Sequence, residues 1–113
     1  MISQFHDMEL AWAAGFIEGE SHVGIKRGRK RLDGGRPKVG LLLVASQNER
    51  GRLERLHSAL GGIGHIRGPY KKSHVWATSC VSANEALELL WPYLGPEYRK
   101  RVWKLWREIG RKS

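Results

Sequence analysis

The sequence predicts an α+β fold in the order α-ββα-ββα-α, with one antiparallel, saddle-forming sheet and its helices on one side. Three observations lead there. Two stretches carry paired strand patterns broken by turn chemistry, at "RLDGGRP" and at Lys71–Lys72–Ser73. Each pair is followed by a segment with helical apolar spacing. A further helical segment opens the chain and another closes it. Hairpins alternating with helices give a sheet covered on one face and open on the other. With 113 residues the chain suits a single domain, 1–113, large enough to bury a core.

Taken in order, Asp7 is the expected N-cap of a first helix that runs to about Glu20. "SHVGIKRGRK" alternates as a strand, with Val23 and Ile25 inward and His22, Gly24, Lys26, Gly28 and Lys30 opposite. "KVGLLLVAS" reads as a more deeply buried strand. Val39, Leu41, Leu43 and Ala45 point inward there, and Lys38, Gly40, Leu42, Val44 and Ser46 outward. Ser46 with Glu49, or Asn48 alone, caps a helix whose stripe is Leu53, Leu56, His57 and Leu60, and "GGIG" ends it. "HIRGPY" and "HVWATSCV" form the second hairpin, with Arg67 in the third strand and His74, Trp76 and Thr78 alternating along the open face of the fourth. Ser82 and Glu85 give a capping-box signature for a third helix that stops before Pro92. Tyr98, Val102, Leu105, Trp106 and Ile109 share one face of a last helix. The topology repeats; the residues do not.

Lys and Arg outnumber Asp and Glu by 20 to 11, a net charge of +9. That points to a polyanion, with nucleic acid ahead of a membrane surface. No run approaches the roughly 20 apolar residues of a membrane span, and "MISQFHDMEL" lacks a signal-peptide pattern. Cys80 stands alone, which excludes an internal disulfide and a thiolate metal site and suits an intracellular setting, in cytoplasm, nucleoid or organelle, and not secretion. The five histidines lack zinc spacing, "GGIG" is not a phosphate cradle, and no Ser/His/Asp set stands out. Neither a membrane nor a small-molecule substrate is expected.

The first helix raises the sharpest question. Met8, Trp12, Gly15, Phe16 and Gly19 line one side, and Leu10, Ala13, Ala14 and Ile17 much of the rest. A helix apolar nearly all round needs cover on both sides. Either its own domain wraps it, or a second copy packs on the Gly15/Gly19 notch across a two-fold axis. The helix then ends in Glu18 and Glu20, where carboxylates are disfavoured by up to about 1 kcal/mol. They are solvated, or a cation meets them. In a dimer four carboxylates would converge and repel unless neutralised, and magnesium, an oxygen-liganded ion, suits that role.

"AAGFIEGES", Ala13 to Ser21, resembles the LAGLIDADG motif of the homing endonucleases, and the predicted element order is similar to that family's fold over nearly the whole chain. One motif in a short chain resembles the homodimeric branch. The resemblance implies a site-specific double-strand DNA endonuclease that uses Mg2+ or another divalent cation, with a role in intron or intein mobility. It assigns the metal-binding acid to Glu20, with Ser21 beside it and Glu18 in support. Gln47 falls where the family has a water-orienting polar residue, and Arg99 or Lys100, with Lys100 preferred, where a basic residue stands near the cleavage site. Trp12, Gly15, Phe16 and Gly19 fall on the dimer interface. Ser21 departs from the motif's final glycine. The family also implies the rival outcomes of a non-cleaving DNA-binding module and an RNA-binding splicing helper.

On that resemblance the open sheet face lies along duplex DNA, and His22, Lys26, Arg27, Arg29, Lys30, Arg36, Lys38, Arg67, Lys71, Lys72, His74 and Trp76 are the candidate contacts. The competing view of "IKRGRKR" is a solvated hairpin. The basic last helix, with Arg99, Lys100, Arg101, Lys104, Arg107, Arg111 and Lys112, either binds backbone phosphates or keeps the chain soluble. Leu42 and Val44 on a groove face either meet thymine methyls or mark a register slip.

Overall fold

The computed structural model describes residues 4–28, 32–35 and 38–112, apart from the side chains of 111 and 112. Arg29, Lys30 and Arg36 lie outside the described residues. The elements are α1 (Gln4–Glu20), β1 (Ser21–Arg27), β2 (Val39–Gln47), α2 (Arg50–Ala59), β3 (His65–Tyr70), β4 (Ser73–Ser79), α3 (Cys80–Leu90), a 3-10 turn (Trp91–Tyr93) and α4 (Pro96–Lys112). The predicted α+β order is the observed one. All four strands are antiparallel, in the order β1-β2-β4-β3, so the central pair comes from different hairpins.

The sheet's inner face is set by alternation. Leu41, Leu43 and Ala45 of β2 are buried with Val23 of β1 and Trp76 of β4. The helices close over them with Ala13, Ala14 and Ile17 from α1, Leu53 and Leu56 from α2, Ala86, Leu87 and Leu90 from α3, and Tyr98 and Val102 from α4. The alternation predicted for β1 and β2 is observed from His22 to Lys26 and from Leu41 to Ser46, while Gly40, expected outward, is buried against Cys80. That for β4 is reversed at its centre: Trp76 is fully buried and Thr78 nearly so, so Trp76 is a core residue and not a groove contact. The indole has two anchors. Its Nε1 donates to the Ile63 carbonyl at 3.0 Å, and its ring lies against Gly64, where a Cβ would stand 2.3 Å from Nε1. Gly64 also has φ +93°, so this turn requires glycine twice over.

Three caps differ from expectation. α1 already includes Gln4, so Asp7 lies inside it, and its Oδ1 accepts from the Tyr93 hydroxyl at 3.0 Å. α2 begins after Glu49 and α3 after Ser79, neither with a side-chain cap bond, which puts Ser82 inside α3. Cys80 turns the chain sharply from β4 into α3 at φ 57° and presses on Gly40, where a Cβ would meet Sγ at 2.7 Å. Outside the core, Arg55 of α2 grips Glu9 of α1 through two bonds of 2.9 and 3.0 Å and lies 4.0 Å over the Trp12 ring. Among the described residues no helix is long and apolar enough to cross a membrane.

Candidate nucleic-acid interface and acidic centre

The motif's two acids separate in space. Glu18 faces the start of α4, where its Oε1 accepts the Gly95 backbone N–H. A carboxylate is favoured at a helix N-terminus, by about 0.3–1 kcal/mol, so the charge disfavoured on its own helix is welcome on another. Sequence reading missed this because the partners are 77 positions apart.

Glu20, exposed like Glu18, turns toward β2 instead. Gln47, at the far end of β2, donates Nε2 to Glu20 Oε2 at 3.0 Å. Ser21 pairs with Ala45 in the ladder, which brings the end of α1 to the end of β2. Among the described residues no ammonium or guanidinium pairs with Glu20, and the Gln47 amide is the side chain that holds its carboxylate. No group of three His, Cys, Asp or Glu side chains gathers to hold a metal ion among the described residues.

Around this pair the remaining candidates spread out. The Ser21 hydroxyl donates back to the Ile17 carbonyl at 2.6 Å, closing the last turn of α1. Lys100 is exposed and leans on Glu97, 3.7 Å away, while Arg99 donates to the Trp91 carbonyl. Tyr98 is buried near Ser21, its hydroxyl without a well-formed hydrogen bond. Burial pushes this phenol up; the Ser21 hydroxyl and the Arg101 charge oppose it, and Glu18 adds to it.

Along α1 the notch is open. Beyond the backbone of α1 itself, neither Gly15 nor Gly19 has a heavy atom within 4 Å of where a Cβ would stand. Ala11 is exposed beside them, and Phe5 and Met8 are 72% and 69% exposed. Phe16 turns into its own core, stacked on the half-buried Trp12. The open ridge is therefore Met8, Ala11, Gly15 and Gly19, with Trp12 at its margin.

On the open sheet face His22, Lys26 and Arg67 are exposed, with Lys71 and Lys72 in the β3–β4 turn. A depression there is lined by Lys26, Leu42, Val44, Arg67, Val75 and Ala77. By alternation Arg27 falls on the inner side of β1, at its exposed end, and Lys38 lies just before β2. His74 shares the Trp76 side of β4, opposite Gln47, with its Nδ1 buried and without a hydrogen-bond partner. Val75 and Ala77 replace Trp76 and Thr78 on the open face.

No family model and no curated protein matches the chain. Solved structures do. The homing endonuclease I-CvuI in complex with the I-CreI target superposes with a TM-score of 0.69 at 23% identity, over 82% of this chain and 60% of that one. The group I intron-encoded homing endonuclease I-CeuI complexed with DNA gives 0.71 at 18% identity, over 97% and 57%. The archaeal intron-encoded I-Vdi141I, also complexed with DNA, gives 0.62 at 22% identity, over 77% and 56%. This chain thus spans less than two thirds of the length of each, and it has the LAGLIDADG homing-endonuclease fold.

Proposed function

We propose, with that fold as premise, that the chain is a site-specific double-strand DNA endonuclease that works as a homodimer with a divalent cation. The observation that carries it is the Glu20–Gln47 pair at the foot of an uncovered glycine ridge. Joining two ridges across a two-fold axis brings both Glu20 carboxylates to one place, beside the two open sheet faces. An exposed Glu20 that pairs with no ammonium or guanidinium among the described residues fits an ion shared between copies. Glu20 of each copy would hold it, with Ser21 at the margin. A divalent ion there supplies charge neutralisation and Lewis acidity for phosphodiester hydrolysis.

The protein's own groups do the positioning. The Gln47 amide fixes the rotamer of Glu20 and keeps its carbonyl oxygen free to orient a water. Glu18 secures α4, which carries Arg99, Lys100 and Arg101 close to the same end of α1. Lys26, Arg67, Lys71 and Lys72 supply phosphate and base-edge contacts along the sheet.

Cleavage selection from a randomised duplex library with magnesium, repeated with Glu20→Gln, is the test. The native chain is expected to enrich a long, roughly palindromic set of cut sites. Glu20→Gln should bind the same sites and cut none. Binding without cutting by the native chain selects a DNA-binding module; tighter binding to structured RNA than to any duplex selects the splicing helper.

A further inference from the structure

The middle of the open sheet face is not polar. Leu42, Val44, Val75 and Ala77 form a continuous patch there, joined by the β2–β4 ladder in which Val44 stands opposite Ala77. All four are only half-buried. Across β1, Leu42 faces Gly24, which offers no side chain, and the His22 ring lies 3.1 Å from where a Gly24 Cβ would stand. The rim is cationic, with Lys26 on one edge strand, Arg67 on the other and Lys71 and Lys72 beyond.

These two facts select the occupant. A cationic rim favours a polyanion over a second copy of a chain that itself carries +9. Within a DNA major groove, base-edge donors and acceptors pressed against Leu and Val would lose their hydrogen bonds, at a cost. One group on that edge suits such a surface, the C5-methyl of a pyrimidine. We infer that Leu42, Val44, Val75 and Ala77 read pyrimidine C5-methyl groups, so that each half of the target carries a block of thymines. Lys26 and Arg67 flank that block, with guanine edges as their natural partners. A 5-methylcytosine offers the same methyl, so methylation of the target strengthens binding within the block. The inference rests on the DNA-binding reading above and narrows it.

The test selects duplexes by binding to the full chain, then replaces each enriched thymine by deoxyuridine. Loss of each contacted methyl should weaken binding about fourfold, the usual worth of one buried methyl-sized group. The dependence of affinity on salt should stay unchanged, because no phosphate contact is lost. At the same positions 5-methylcytosine should bind tighter than cytosine, by a similar factor. In Leu42→Ala and Val44→Ala the thymine-to-uracil ratio should fall toward one. Selected sites without a thymine block, or uracil as good as thymine throughout, overturn this inference and leave the endonuclease reading standing. Selection of no duplex at all removes both. Uracil as good as thymine, with Leu42→Ala dissociating the oligomer, would make the patch a protein contact and overturn the inference.

Discussion

Gly15→Ala separates a buried ridge from a solvated one by the sign of its effect. Gly15 lies inside α1, and a methyl group added there meets nothing within 4 Å beyond the helix's own backbone. If the ridge faces water, the substitution gains helix propensity, about 0.8–1.0 kcal/mol. The melting temperature of a chain this size should then rise by about 4 °C. If the ridge packs on its twin, two methyl groups enter one close contact, and overpacking costs about 1–3 kcal/mol at each. Dimerisation would then weaken by at least about 2 kcal/mol, roughly a thirtyfold increase in the dimer Kd. Sedimentation equilibrium across a concentration series, with denaturant unfolding of the monomer, measures both terms. The expected result is a more stable monomer and a weaker dimer. A native chain that is monomeric throughout, or a variant whose dimer is unchanged or tighter, refutes the paired-ridge argument.

Three further outcomes follow from the geometry. Gln47→Ala should lower cleavage about 10- to 100-fold, as loss of a partner that orients a metal-binding carboxylate usually does, with duplex affinity in calcium unchanged. Trp76→Phe should cost stability, about 1 kcal/mol or more from the lost bond to Ile63 and the smaller ring, and leave target preference untouched; a changed preference would return Trp76 to the groove. Tyr98 has a raised folded pKa, so the unfolded chain loses the phenol proton first as pH climbs. Its contribution is intact below about pH 10 and is lost as pH rises through the folded value. Tyr98→Phe should flatten the alkaline end of a stability profile and, since the buried hydroxyl lacks a good partner, cost little at pH 7.

The legible and illegible parts of the sequence divide on physical lines. β2 was legible because "VGLLLVAS" is long enough for its burial to follow one period, and the last helix because its apolar spacing runs over three turns. β4 was not: in "HVWATS" both faces carry apolar residues, Val75 and Ala77 on one and Trp76 on the other, so alternation alone gives no side. The capping boxes failed because sequence shows a compatible pair and not where the helix begins. Cys80 starts α3 two residues before Ser82 through a positive φ that no local pattern announces. Glu20 and Gln47 were singled out through the motif resemblance, and the structure brings the two side chains within a hydrogen bond. Glu18 was legible as an acid and illegible as a cap, since its partner is fixed only when α4 docks.

The sheet's two faces answer to different demands. Leu41, Leu43, Ala45 and Trp76, with Val23, pack the inner face against the helices, while 42, 44, 75 and 77 alternate to the other side. Side chains on the outward set are therefore open to exchange in combination at little thermodynamic penalty. The outer surface can thus change its chemistry while the scaffold beneath it stays as it is.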